Sequence, residues 1–159
     1  FADVVRATTG TEGNLIAGTL PALWLIHRHG RRGVLAVVVC AVAMLVVQPV
    51  AKELVDRDRP DATQVEVRAE PTSRSYPSGH SLSTTTTWGT AALLVARAGR
   101  RGWAAVLAVP LVCTGFASAI QGVHWPSDAI AGTIIGALAA LAATHVIAPS
   151  PGDDPSGNG

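Results

Sequence analysis

The chain has 159 residues, enough for one domain, and 48% of them are apolar while only 14% are charged. Soluble domains carry about 25% charged residues, so this composition disfavours an ordinary soluble globule and excludes a disordered chain. The formal net charge of +1 argues against nucleic acid as a partner, because no excess of cations is present to neutralise a phosphate backbone. Cys40 and Cys113 each lie inside an apolar run and are predicted to be core residues rather than a disulfide or metal ligands.

Five apolar stretches follow one another in chain order, at residues 13–26, 33–51, 82–96, 102–120 and 129–148. A bilayer core of about 30 Å needs roughly 20 helical residues, and three of the five stretches approach or reach that length. Because several charge-free runs of this size are rare in soluble domains, we predict an all-α transmembrane bundle of about five spans. A soluble all-α protein with unusually apolar helices is the alternative.

The domain boundary is expected at the end of the last apolar stretch. Residues 1–148 are predicted to form one membrane domain, and residues 149–159 (PSPGDDPSGNG) a disordered polar tail with nothing to bury. The first residue is Phe rather than Met, and the sequence does not open with a basic and then apolar leader. We therefore expect the true N-terminus to be missing. Within the last stretch, Gly132, Gly136 and Ala140 recur at a spacing of four, which favours close helix packing or reflects simple Ala and Gly richness.

The basic loops give an expected orientation. Residues 27–32 (HRHGRR) and 97–101 (RAGRR) are separated by two spans and share one face, whereas residues 52–80 and the turn around His124 share the other. The number of basic residues is the same on both faces, but their density in the two short loops favours those loops as cytoplasmic. The second face is then extracytoplasmic.

The first chemical cluster on that second face directly follows the longest charge-free run. Lys52 and Arg59 are seven residues apart in K-E-L-V-D-R-D-R-P, and Lys52 is the chain's sole lysine. At a helix end, the compact ammonium group of the lysine and the planar guanidinium group of the arginine can bind the same anion. Anchoring of lipid headgroups by juxtamembrane cations is the alternative.

The second cluster is Tyr-Pro-Ser-Gly-His-Ser at residues 76–81, before the third run. The following helix would present free N–H groups and its positive dipole end, which bind a phosphate oxygen readily. Gly79 permits close backbone approach, Ser78 offers a hydroxyl and His80 a titratable donor. The alternative is a helix cap with an idle histidine.

The third cluster, Gly-Val-His-Trp-Pro-Ser-Asp at residues 122–128, opens the last run. His124 and Asp128 are four apart and fall on one helical face if Pro126 begins the helix. A carboxylate that fixes one ring nitrogen leaves the other as a nucleophile. The alternatives are an Asp that favours the helix dipole beside a surface histidine, and a zinc site, for which no signature spacing is present.

Together the three clusters resemble the motifs of the type 2 phosphatidic acid phosphatase (PAP2) superfamily. The matching patterns are K-x6-R-P from Lys52, P-S-G-H ending at His80 and H-x3-D from His124, and the resemblance runs from about residue 13 to residue 141. It implies a PAP2/haloperoxidase-like core, six helices in the full membrane family with the first before Phe1, and a site on the extracytoplasmic side of a membrane. The Arg and Ala richness favours a bacterial plasma membrane.

The resemblance also implies residue roles. His124 would attack phosphorus and form a phosphohistidine while Asp128 holds its ring, and His80 would protonate the leaving alkoxide and later activate water. The phosphate oxygens would be bound by the cations and by the start of the third run: Lys52, Arg59, Ser78 and the Gly79 amide. Cations in these positions suit phosphoryl transfer without a metal or other cofactor.

One departure concerns the family's third motif, which begins Ser-Arg. The corresponding positions here are Ala117 and Ser118, so the arginine is absent. Arg74, near the second motif, is the expected substitute, and Gln121 is a weaker candidate. Loss of a charge-assisted hydrogen bond costs about 1.5–3 kcal/mol, or roughly 10- to 150-fold in rate.

The expected function is a metal-independent membrane phosphatase that hydrolyses a lipid phosphomonoester or pyrophosphate, of the polyprenyl pyrophosphate, phosphatidate or phosphatidylglycerol phosphate type. Its partners would be that substrate and the surrounding membrane lipids; no feature of the sequence indicates an oligomeric state. The alternative is a catalytically impaired, lipid-phosphate binding pseudoenzyme, favoured by Ser118 at the arginine position. A soluble vanadium haloperoxidase is disfavoured by the apolar spans.

Overall fold

The computed structural model describes residues 11–61, 73–120 and 122–148, and within these ranges the chain is helical with no strand. The predicted all-α class is therefore confirmed, and each predicted apolar stretch lies in one helix. The termini, including the predicted tail 149–159, lie outside the described residues. We number the helices α1 (Thr11–His29), α2 (Arg31–Val55), α3 (Gly79–Arg97), α4 (Arg101–Ile120) and α5 (Pro126–Ile147).

Membrane character is clearest in two of these helices. Within the described ranges, α2 and α5 combine spanning length with high mean hydropathy, 2.7 and 2.0 in their most apolar windows. In α4 the apolar part is shorter, Arg101–Thr114, and in α3 the cluster Thr84, Thr85, Thr86 and Thr87 lowers hydropathy. The predicted number of five spans is thus not established, although five helices are present.

Large apolar side chains cover the outside of the bundle. Leu20 of α1, Leu45 of α2, Trp103 of α4 and Ile130 of α5 are all at least 60% exposed. Soluble monomers rarely expose contiguous apolar surface of this extent, because its contact with water is unfavourable. Such a surface is typical of helices in contact with lipid.

Helix α2 begins with a tight hairpin and ends with a sharp turn. Gly30, with φ of 54°, separates α1 from α2, and a side chain at Gly33 would collide with the carbonyl of Leu25 on α1. Residues Ala43–Val47 form a π-helical turn inside α2. At its end, Asp56 takes the left-handed conformation (φ 48°) and its N–H donates to the carbonyl of Lys52. The chain therefore turns back over the end of the bundle directly after Lys52.

Helices α3 and α5 are packed backbone against backbone. A Cβ added at Gly132 would meet the Ser78 carbonyl, and one at Gly136 would lie 2.6 Å from the Leu82 carbonyl oxygen. Ala140 is 1% exposed on the same face. The recurrence of small residues at every fourth position therefore reflects close helix packing rather than composition alone. This contact brings the N-terminal ends of α3 and α5 together at the end of the bundle where α2 finishes.

Candidate active site

One cavity of about 950 Å³ reaches the end of the bundle where α2 ends and where α3 and α5 begin. Lys52 lies on the last turns of α2, Arg59 in the segment after it, Gly79 and His80 at the start of α3, and His124 just before α5. All five line this cavity. Residues separated by up to 72 positions in sequence are thus brought to a single cavity, with both histidines on its wall.

Arg59, one of the residues that line this cavity, is held in place by backbone carbonyls. Its Nε donates to the carbonyl of Ser73 at 2.7 Å, and Nη1 donates to the carbonyl of Val123 at 2.6 Å. Nη1 also lies 3.4 Å from Nε2 of His124. The guanidinium therefore fixes the loop before α3 and the loop before α5 relative to each other.

The contact with Arg59 defines the tautomer of His124. A guanidinium only donates hydrogen bonds, so Nε2 faces it with its lone pair and the neutral ring carries its proton on Nδ1. On the other side, Nδ1 lies 3.7 Å from Oδ2 of Asp128, beyond hydrogen-bond length, and this buried atom has no hydrogen-bond partner among the described residues. Nε2, the nitrogen beside Arg59, is therefore the one that carries the lone pair.

His124 is uncharged at neutral pH. Burial of the ring, which is the largest cause, and the nearby charges of Arg59 and Lys52 together lower the pKa of His124 to about 4, although the charge of Asp128 opposes them. Its side chain is only 5% exposed, so charging the ring requires desolvating a cation beside two others. A neutral imidazole with a free lone pair is the form that a nucleophile requires.

Asp128 is completely buried and is bound by groups from three segments. Oδ2 accepts from the backbone N–H of Trp125 at 3.0 Å and from the hydroxyl of Ser75. Oδ1 accepts from Nη1 of Arg57 at 3.0 Å. The first of these contacts caps α5, because Asp128 occupies the third position of the helix. The carboxylate thus has both a structural partner and a cationic one.

The start of α3 is joined to the start of α5 by main-chain hydrogen bonding. The N–H of Ser78 donates to the carbonyl of Asp128 at 3.0 Å. Ser78 is fully buried, its hydroxyl accepts from the N–H of Ser81 as the N-cap of α3, and it does not line the cavity. Gly79 does line it, and a Cβ there would lie 2.7 Å from Nε2 of Gln48. Of the two predicted phosphate ligands here, the structure thus places only Gly79 in the cavity.

Arg74, the expected substitute for the absent arginine, points elsewhere. Its guanidinium pairs with Asp56 and with Asp58 at the surface, and Arg74 is not among the residues that line the cavity. Its carbonyl oxygen instead accepts from Nζ of Lys52 at 2.5 Å. Ala117 is buried in the cavity wall. The Ser118 side chain and Gln121 lie outside the description. The expectation that Arg74 replaces the arginine has no support in this geometry.

Sequence reasoning missed three residues of the site, Arg57, Ser75 and Trp125. Each contacts Asp128, either through its side chain or its backbone. Arg57 lies between the two cations of the first cluster, but spacing alone does not show that it faces α5 rather than lipid. Among the described residues, no group of three His, Cys, Asp or Glu side chains is placed to hold a metal ion.

Away from the charged end, the cavity becomes apolar. It continues between α1, α2 and α3, where its walls include Trp24, Leu25, Val37 and Leu94. An anion bound by Lys52 and Arg59 could therefore carry an apolar chain along these helices.

Comparison with known proteins identifies relatives of this arrangement. The model of the PAP2 superfamily matches residues 32–150. A decaprenylphosphoryl-5-phosphoribose phosphatase of Mycobacterium tuberculosis is 36% identical over 115 residues, which cover 72% of this chain and 55% of that protein. An undecaprenyl-diphosphatase of Sulfolobus acidocaldarius is 30% identical over 135 residues, covering 82% of this chain and 63% of that one. The chain thus spans little more than half the length of these relatives.

A solved structure shares the fold. The crystal structure described as the first transmembrane PAP2 type phosphatidylglycerolphosphate phosphatase, from Bacillus subtilis, superposes with a TM-score of 0.77 at 20% identity. The match covers 91% of this chain and 73% of that one. Together with the apolar helices α2 and α5, this neighbour indicates an integral membrane protein.

Proposed function

Because the chain belongs to the PAP2 superfamily, we propose that it is a membrane phosphatase that hydrolyses a lipid phosphomonoester or pyrophosphate through a phosphohistidine at His124. The observation that carries this proposal is the convergence of Lys52, Arg59, Gly79, His80 and His124 on one cavity. No part of the proposed reaction requires a metal or cofactor.

In the proposed first step, Nε2 of His124 attacks the phosphorus atom and the bond from phosphorus to the leaving oxygen breaks. Lys52, Arg59 and the Gly79 N–H stabilise the charge on the equatorial oxygens, which is where phosphoryl transfer needs fixed cations and dipoles. His80 protonates the leaving oxygen. The Nδ1 proton remains directed at Asp128, whose negative charge stabilises the ring as it becomes positive.

In the second step, a water molecule attacks the phosphohistidine from the side that the leaving group has vacated. His80, now unprotonated, takes one proton from that water, the bond between phosphorus and Nε2 breaks, and inorganic phosphate leaves. General acid and base assistance of this kind contributes about 10²- to 10⁴-fold to the rate. The same histidine therefore serves as acid and then as base.

A polyprenyl phosphate or diphosphate is the substrate class that the proposal favours. The apolar walls between α1, α2 and α3 continue directly from the charged end of the cavity, which suits an amphiphile with a phosphate head. The two relatives described above are named for decaprenyl- and undecaprenyl-linked substrates. We place the charged end on the extracytoplasmic side of a bacterial plasma membrane.

The test is phosphate release from a panel of lipid phosphates, measured on purified protein in detergent with a chelator present. Release should persist under chelation, stop with vanadate, and be absent from His124→Ala. His145→Ala is the matched control, because His145 is an exposed histidine near the other end of α5. Strict dependence on added metal, or full activity of His124→Ala, would contradict the proposal.

A second candidate, a lipid-phosphate binding pseudoenzyme, is favoured by the absence of the third-motif arginine at Ser118. It predicts binding of lipid phosphate without release. Ser118→Arg separates the two candidates, since restoring a cation should raise a slow phosphatase rate by roughly 10-fold or more. An unchanged or lower rate in an active enzyme would show that another group already fills the gap.

A further inference from the structure

We propose that Arg57 is a positioning residue for this reaction, acting on His124 through Asp128; the inference rests on the proposed function. Arg57 lies inside the first motif, at a position that the pattern K-x6-R-P leaves unspecified, and it does not line the cavity. It therefore differs from Lys52 and Arg59, which are placed to meet the phosphate itself.

The contacts of Arg57 join the segment after α2 to the first turn of α5. Nη1 donates to Oδ1 of Asp128 at 3.0 Å and to the hydroxyl of Ser127 at 2.7 Å. The guanidinium carbon lies 5.4 Å from the centre of the Trp125 ring. These three contacts, with Trp125, Ser127 and Asp128, fix the orientation of the guanidinium.

Asp128 needs a counter-charge because it is fully buried. The partners of Oδ2, the Ser75 hydroxyl and the Trp125 N–H, are neutral. Arg57 forms the ion pair, through Oδ1. With Oδ1 bound in this way, the carboxyl plane is set so that Oδ2 is the oxygen beside Nδ1 of His124. Arg57 thus orients the carboxylate together with Ser75 and Trp125, and it is the charged member of the three.

The charges around His124 make this arrangement sensitive to Arg57. Lys52 from α2 and Arg59 from the next segment face the ring, His80 from α3 lines the same cavity, and Asp128 lies on α5. Among these described groups around the ring, Asp128 is the only anion. When Arg57 neutralises part of that charge, it weakens the attraction of Asp128 for a proton on the ring. Without Arg57 the ring would hold a proton more readily and the carboxylate could rotate.

The experiment compares Arg57→Gln, Arg57→Lys and, as the matched control, Arg28→Gln, which removes an exposed arginine from the last turn of α1, at the other end of the bundle. Arg57→Gln should lower kcat by about 10-fold or more and leave KM within about twofold, since the lost interaction does not touch substrate. The acid limb of the rate profile should move to higher pH by about one unit. Arg57→Lys, which keeps the charge, should recover most of the rate, and Arg28→Gln should match the wild type.

A readout independent of turnover is an NMR titration of the His124 ring in detergent, assigned by the signal missing from His124→Gln. The ring should titrate at higher pH in Arg57→Gln than in the wild type, with or without phosphatase activity. If the wild type is inactive but the Arg57→Gln ring still titrates at higher pH than the wild-type ring, the proposed function is contradicted and the role of Arg57 is supported. If the wild type is active but the Arg57→Gln ring titrates as in the wild type, the proposed function stands and the role of Arg57 is contradicted.

Two further outcomes bear on the inference. A rise in KM at unchanged kcat would overturn it, because Arg57 would then be a phosphate ligand. If Arg57→Gln does not fold alone, Arg57→Gln with Asp128→Asn removes the uncompensated charge. In the Asp128→Asn background, the Arg57 change should alter kcat less than about threefold, because its route of action is already gone. A full loss there overturns the inference.

Discussion

At His124, burial and the two cations Lys52 and Arg59 act against the single carboxylate of Asp128, and the neutral ring is the outcome. The same balance that favours a nucleophile has an effect on stability. In the unfolded chain the ring titrates near its usual value, whereas in the folded protein it stays unprotonated down to about pH 4. Folding and proton binding at this residue are therefore in competition.

We predict that the protein loses stability as the pH falls from about 6.5 to about 4, the interval between these two values for His124. In that interval the unfolded state binds the extra proton, so the free energy of unfolding rises with pH, by an amount on the order of 3 kcal/mol over the whole interval. Thermal unfolding in detergent, measured at several pH values, tests this. His124→Gln should reduce the acid-induced fall in Tm and His145→Gln should not; equal falls in all three proteins would contradict the prediction.

The sequence was informative about which residues carry chemistry but not about how they face one another. The spacing of four and the position of Pro126 predicted that His124 and Asp128 share one helical face. The structure brings the two side chains to 3.7 Å, but His124 precedes α5 and approaches Asp128 from the loop before that helix. The sequence did not predict where the side chains of Arg57 and Arg74 point. Their directions depend on the left-handed turn at Asp56, which residue spacing does not reveal. The catalytic roles remain predictions.

At the scale of the elements, the contact between α3 and α5 determines how far apart the two histidine segments lie. Gly132 and Gly136 leave room for the α3 backbone near Ser78 and Leu82, and no side chain fits there. Overpacking a close contact costs about 1–3 kcal/mol, and here the atoms that must move are backbone atoms adjacent to His80. Stability and activity should therefore respond together.

We predict that Gly132→Ala and Gly136→Ala each lower the free energy of unfolding by about 1–3 kcal/mol and reduce phosphate release. Gly102→Ala on α4 is the matched control, since a Cβ there meets nothing within 4 Å. Better helix propensity should leave that variant as stable as the wild type or slightly more so. Tm and activity measured on the three variants decide the matter, and a harmless Gly132→Ala would show that α3 and α5 can separate freely.

The helices themselves were largely predictable, because charge-free apolar runs bounded by basic or Gly-containing loops have few other solutions. What the sequence did not show was the detail inside them. Pro21 and Pro110 lie within α1 and α4 rather than ending them, and Ala43–Val47 form a π-helical turn. Neighbouring helices can accommodate such irregularities, which local sequence does not reveal.

For the molecule as a whole, the apolar surface and the two apolar helices of spanning length indicate a membrane protein, and we expect the two ends of the bundle to lie on opposite sides of the membrane. The site lies at the end where α2 finishes, and the basic turns around Arg28 and Arg101 lie at the other. Those turns contain no acidic residue between 27 and 32 or between 97 and 101. The rule that cytoplasmic loops are rich in cations supports the proposal that the charged end of the cavity lies outside.

We predict that a cysteine at Asp58 reacts with an impermeant maleimide in intact cells, whereas one at Arg101 reacts only after lysis. Both positions are exposed, Asp58 with 89% of its side chain accessible. The background should carry Cys40→Ala and Cys113→Ala, so that the introduced thiol is the one labelled. Labelling of both positions from outside, or the reverse pattern, would contradict the proposed sidedness.

The hydrogen bond from the Ser78 N–H to the Asp128 carbonyl has a mechanical consequence. It ties the start of α3 to the first turn of α5 beside the glycine contacts, so the segments that carry His80 and His124 are joined by main-chain hydrogen bonding as well as by packing. Lys52 and Arg59 come from α2 and the segment after it. The contacts of Arg59 with Ser73 and Val123 therefore have to break before the α2 side of the cavity can move away from the two imidazoles.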